Sequence, residues 1–141
     1  MKIIYEANSQ ASIDGYSSRV VDIVNTLEDN PEVEKFVRDA KITLDDMRDP
    51  NKRDKVVQYI VAKFTNRKGR IACYTYASVT YVVLKLLGES PTVEVGLDTD
   101  HEFLDDQFCN HVWTRVGNTY YDYPENRYDG AIYNPKTYLQ L

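Results

Sequence analysis

Between Cys73 and Leu87 the chain carries one charge, Lys85, while Tyr74, Ala77, Val79, Tyr81, Val82, Val83, Leu84, Leu86 and Leu87 would wrap most of the circumference of a helix. A helix that is apolar all round has to be covered on every side. The spacing therefore predicts a central, buried helix over 73–87, with other elements of the chain layered against it. Gly88 suits a left-handed C-terminal cap, and Pro91 stops the helix from resuming.

Upstream segments have the pattern needed to supply one layer. Val20, Ile23, Val24 and Leu27 recur at helical spacing over 16–27, with Ser17 or Ser18 as the expected cap. Asn30-Pro31 is a helix start leading into the stripe Val33, Phe36, Val37 and Ala40, with Glu32 and Glu34 in the first turn. Asp49-Pro50 repeats that grammar before Val56, Val57, Ile60, Val61 and Phe64, and Lys63, Arg67 and Lys68 are expected at the C-terminal end, where the helix dipole favours cations. Ile3, Ile4 and Tyr5 suggest a short strand or an ordered N-terminal extension, followed by a polar break at Asn8-Ser9-Gln10.

Downstream the period changes. A strand is expected over 92–96, an acidic loop from Asp98 to Asp106, a hairpin, a turn-rich return over 124–130 and a short terminal segment over 131–138. Helices first and strands later indicate an α+β fold, with the Cys73 helix packed across an antiparallel sheet. The 141 residues suit one domain with a sizeable core.

The hairpin can be worked out by counting. His111-Val112-Trp113-Thr114-Arg115-Val116 and Thr119-Tyr120-Tyr121-Asp122-Tyr123 are β-favouring runs around Gly117-Asn118, a two-residue turn signal. Val116 then faces Thr119, and counting outward pairs Trp113 with Asp122. Side chains alternate along a strand, so His111, Trp113 and Asp122 project from one side, with His111 and Asp122 as diagonal neighbours. A three-residue turn would separate them, and Asp129 or Asn126 would then be the alternatives to Asp122.

Cys73, His111 and Asp122 have the chemistry of a thiol nucleophile site. A thiol attacks as its thiolate, a form favoured by the unpaired N–H groups of a helix start and by a neighbouring imidazole. A carboxylate beside the imidazole orients the ring and stabilises its protonated form. Cys73, Cys109, His101 and His111 also add up to the ligand count of a zinc site, but only Cys109-Asn110-His111 has short spacing, so no metal and no cofactor is expected. Asp98, Asp100, Glu102, Asp105 and Asp106 are oxygen donors without the glycine turn and ligand spacing of a calcium loop, and the stretch is read as a solvated lid.

Charge narrows the partners. With a net charge of −5 and basic residues interleaved with acids or confined to one segment, nucleic acid is not expected as a partner. The cluster Arg67-Lys68-Gly69-Arg70 is read as a solvated helix end. No run approaches the roughly 18 apolar residues of a membrane span, and the N-terminus lacks the apolar core of a secretory signal. A cytoplasmic or other intracellular location is expected, although a mature secreted chain with its signal trimmed would read the same way. Two cysteines do not make a disulfide framework.

Several of these residues together resemble the transglutaminase-like branch of the papain-like cysteine enzymes, in which the nucleophile heads a helix and the His and Asp come from adjacent strands. Cys73-Tyr74-Thr75-Tyr76-Ala77 with Leu87-Gly88 resembles the family's Cys, aromatic-Ala, Leu-Gly pattern. His111-Val112-Trp113 resembles its His-x-Trp, and Tyr120-Tyr121-Asp122 its aromatic-then-Asp. The resemblance spans about 31–124. It implies Cys73 as nucleophile, His111 as general base and then acid, Asp122 as orienting carboxylate and the Cys73 N–H as an oxyanion donor. It places Trp113 beside the site, and Trp113 and Tyr74 are the candidate substrate contacts. Ile71 stands where the family often has Gly, and the interval from His111 to Asp122 is short for the family.

The expected activity is attack on an amide, peptide or isopeptide bond of a protein or peptide substrate through an acyl-enzyme, with hydrolysis favoured over acyl transfer. The alternative, from a different class, is a degenerate module of the same architecture that binds a protein or peptide and catalyses nothing. Thiol reactivity separates the two.

Overall fold

The computed structural model describes residues 2–3, 10–67, 69, 71–98, 111–122 and 135–141. Among these, five helices run in the order α1 (Gln10–Glu28), α2 (Pro31–Asp39), α3 (Leu44–Arg48), α4 (Pro50–Phe64) and α5 (Cys73–Leu86). The strands are β1 (Lys2–Ile3), β2 (Thr92–Asp98), β3 (His111–Val116), β4 (Thr119–Tyr121) and β5 (Pro135–Gln140). They form one antiparallel sheet in the order β1-β5-β2-β3-β4, so the fold is α+β. No helix among the described residues is long and apolar enough to cross a membrane.

Local chemistry explains most of the boundaries. Asn30 accepts the Glu32 N–H at 3.0 Å with Pro31 in the first turn of α2, and Asp49 accepts the Asn51 and Lys52 amides ahead of α4. α5 ends at Gly88, whose φ of 92° lets the Glu89 N–H reach Leu84 O at 3.0 Å and the Gly88 N–H reach Lys85 O at 3.1 Å. That pair of bonds is a Schellman motif, and it satisfies carbonyls that the last helical turn leaves open.

The structure departs from the sequence reading in four places. α1 begins at Gln10, so Ser17 and Ser18 lie inside the helix and do not cap it. α3 was not expected: a reciprocal capping box, with the Asp46 N–H on Thr43 Oγ1 and the Thr43 N–H on Asp46 Oδ2, supports a helix too short to show a period. α4 stops at Phe64, where the Thr65 hydroxyl donates to Val61 O, so Arg67 lies beyond the helix, 4.0 Å from Asp22 of α1. Finally, the terminal segment forms β5, which lies between β1 and β2. The proposed lid over 98–106, apart from Asp98 at the end of β2, lies outside the described residues, as do Ile4, Tyr5, Lys68, Arg70 and the return over 124–130.

α5 is buried along most of its length, but the expected cover on every side fails in its last turn, where Leu86 is 40% exposed. One side, through Tyr76, Val79, Val83 and Leu84, meets Ile23, Leu27, Val33, Val57 and Ile60 of the other helices. Another side, through Ala77, meets Val93, Val95 and Val112 of the sheet. Each fully buried side chain of this size contributes about 1.5–3 kcal/mol relative to exposure, and the two packing layers account for the apolar pattern of α5 except at Leu86.

Candidate active site

The β3–β4 hairpin has the register obtained by counting. Val116 pairs with Thr119, Arg115 with Tyr120 and Thr114 with Tyr121. Gly117 has a φ of 57°, while Asn118 is not among the positive-φ residues, the pattern of a type II′ turn, whose twist matches a two-residue hairpin. Asp122 follows the last paired residue, on the side of the sheet that carries Trp113 and His111.

His111 Nε2 lies 2.6 Å from Asp122 Oδ1, and both side chains are almost completely buried. Burial opposes protonation of the ring. It is outweighed by the hydrogen bond to Asp122, by a hydrogen bond to Cys73 and by the charges of both partners, which together raise the His111 pKa to about 10. The ring is therefore an imidazolium facing a carboxylate across the neutral range. With Nε2 engaged by Asp122, Nδ1 is the ring nitrogen that remains for a second partner.

Cys73 is the first residue of α5 and a half-buried free thiol. Ala72 at the N-cap offers no side-chain cap, so nothing from that position occupies the N–H groups of the first turn. Cys73 packs at the edge of the Ala77–Val112 cluster, which puts the start of α5 beside the start of β3. The Thr114 hydroxyl donates to Ala77 O at 2.6 Å, a bond from β3 to the same helix.

Trp113 is completely buried, with its ring centroid 6.1 Å from that of His111 and its indole N–H donated to Glu94 Oε1 at 2.9 Å. It is thus placed beneath the imidazole as a support, with no exposed surface to offer a substrate. Tyr74 is half-buried between two cations, Arg19 at 5.3 Å and Arg67 at 5.6 Å from its ring centroid. It lines a cleft of about 260 Å³ with Val61, Arg67, Gly69, Ile71, Ala72 and Thr75, next to the mouth of α5.

Two features of the site escaped the sequence reading. Glu94 is completely buried on β2 as the direct partner of Trp113, and Arg115 Nη1 lies 3.5 Å from the same Oε1. The signal available was a lone acid inside the alternation Val93-Glu94-Val95. Gly96 stands opposite His111 and brings no side chain towards the imidazole; the β2–β5 register shifts between Val95 and Gly96. Bulges of this kind re-aim side chains near functional positions.

Among the described residues no group of three or more His, Cys, Asp or Glu side chains is arranged to hold a metal ion. Cys109, His101, Asn126 and Asp129 lie outside those residues. No family model, no curated protein and no solved structure matches this chain.

Proposed function

We propose that the chain is a papain-like thiol enzyme of transglutaminase-like architecture, acting on an amide, peptide or isopeptide bond of a protein or peptide. The observation that carries this reading is the 2.6 Å His111–Asp122 contact, with Cys73 at the head of α5 near enough to the same imidazole to help raise its pKa. The order helix, thiol, strand, imidazole, strand, carboxylate supports it.

Attack begins with the sulfur of Cys73, as the thiolate whose proton His111 has taken, on the carbonyl carbon. An S–C bond forms, the C=O π pair moves to oxygen, and the Cys73 N–H donates to the resulting oxyanion. Collapse breaks the C–N bond. The departing nitrogen takes the Nδ1 proton of the His111 imidazolium, while Asp122 holds the ring through Nε2. A water molecule then attacks the thioester, His111 accepts its proton, and the S–C bond breaks to release the acid. Hydrolysis is favoured over transfer because a small domain must exclude water for an amine to compete.

The near-complete burial of His111 and Asp122 favours a second reading, a module that keeps the pair for structure and binds a protein or peptide without turnover. One experiment separates them. In a Cys109→Ser background, Cys73 alkylation at neutral pH is followed by mass spectrometry, and acyl-donor peptides are screened for a thioester on Cys73. The enzyme reading expects alkylation to slow about 10-fold or more in His111→Ala and an adduct that is absent from Cys73→Ala. Equal rates with no adduct leave the binding module.

A further inference from the structure

We infer that Arg53 is a positioning residue that clamps the Asp122 backbone to the nucleophile helix and so holds the carboxylate on His111. This rests on the proposed role of the Cys73–His111–Asp122 group. Arg53 comes from α4 and is almost completely buried, an environment that costs a cation several kcal/mol unless its N–H groups are satisfied. Three separate stretches of the chain satisfy them: α3, α5 and the residue that follows β4. Nη1 donates to Met47 O at 2.9 Å, Nε to Tyr76 Oη at 3.3 Å and Nη2 to Asp122 O at 3.1 Å. The guanidinium also lies 5.4 Å from the Tyr121 ring centroid.

These contacts fall where the hairpin ends. Tyr121 is the last residue of β4, so the backbone of Asp122 leaves the β3–β4 ladder just where its side chain has to meet His111. The fork grips both residues, Tyr121 by its ring face and Asp122 by its carbonyl. Its other arm reaches Tyr76, three residues beyond Cys73 on α5 and therefore on the same side of the helix. Burial pushes the Tyr76 phenol up to about 12, against the opposing influence of Arg53, so it stays neutral and accepts the Nε–H. One planar, fixed-geometry side chain thus ties the helix of the thiol to the residue that orients the imidazole. A flexible ammonium cannot make these three bonds in one plane.

The test is the NMR titration of His111 in the full chain. Only two histidines are present, so His101→Gln assigns the signal. A clamp and a simple charge have opposite signs: if Arg53 acted only as a nearby cation, Arg53→Met would raise the His111 midpoint, because removing a positive charge favours the imidazolium. If it acts as a clamp, Asp122 disengages and the midpoint falls. We expect a fall of about one unit or more in Arg53→Lys, which keeps the charge, and in Arg53→Met, with a smaller fall in Tyr76→Phe. Circular dichroism identifies the variants that remain folded, and Tyr76→Phe decides if neither Arg53 variant folds. An unchanged or raised midpoint in the folded variants overturns the inference. Failure of the enzyme reading is distinct: a wild-type chain that is never acylated, but whose midpoint falls in Arg53→Lys, keeps the clamp and loses the catalysis.

Discussion

Thr114 and Ala77 are joined by a 2.6 Å hydrogen bond from a strand hydroxyl to a helix carbonyl, buried and spanning 37 residues of sequence. Because Cys73 heads the same helix and His111 begins the same strand, this bond helps fix the spacing between sulfur and imidazole. Thr114→Val keeps the shape and removes the donor. It should cost about 0.5–1.5 kcal/mol in urea unfolding and slow Cys73 alkylation, and an unaltered alkylation rate would show that the spacing is set elsewhere.

The buried imidazolium gives stability a definite dependence on pH. His111 has a folded-state pKa of about 10 against an ordinary 6.5. A raised pKa means that its contribution is fully present below about 6.5 and is lost as pH rises through 10. The unfolding free energy of the wild type, minus that of His111→Gln, should therefore decline across that window, by an amount on the order of a few kcal/mol. A flat difference over the whole range would contradict the imidazolium assignment.

Glu94 has a readout of its own because Trp113 is the only tryptophan. In Glu94→Leu the indole N–H loses the acceptor now at 2.9 Å, and Arg115 loses its carboxylate. A destabilisation of about 1–3 kcal/mol should accompany a change in tryptophan emission. Glu94→Gln, which keeps an acceptor oxygen, should retain most of the native emission.

Two glycines should respond with opposite signs. Gly88 has a φ of 92° with open space where a Cβ would sit, so Gly88→Ala bears only the backbone penalty, about 1–2 kcal/mol. Gly15 lies inside α1, where an added Cβ would meet only the end of the Arg19 side chain at 3.4 Å. Gly15→Ala should raise stability by about 0.5–1 kcal/mol. Thermal melts of both variants check the pair.

Some of this molecule could be read from local chemistry. Asn30-Pro31, Asp49-Pro50 and Gly88 mark helix ends because caps act within a few residues, and Gly117-Asn118 sets the hairpin register because a two-residue turn leaves one way to count. From that register the His111–Asp122 pairing followed directly. Other elements gave weaker signals. α3 is too short for a periodic stripe, and the first turns of α1 pass through Ser12, Asp14 and Gly15, poor helix formers that packing against α5 overrides.

What the sequence by itself determined is therefore the set of local commitments: the apolar helix with a thiol at its head, the tight hairpin, and the face shared by His111 and Asp122. Only the tertiary structure decided that β5 enters the sheet between β1 and β2 and that Arg53 and Glu94 are drawn inside. The reason is range: Arg53 reaches Asp122 across 69 residues of chain, and no cap, turn or period encodes which buried carbonyl a distant guanidinium will find once the layers close.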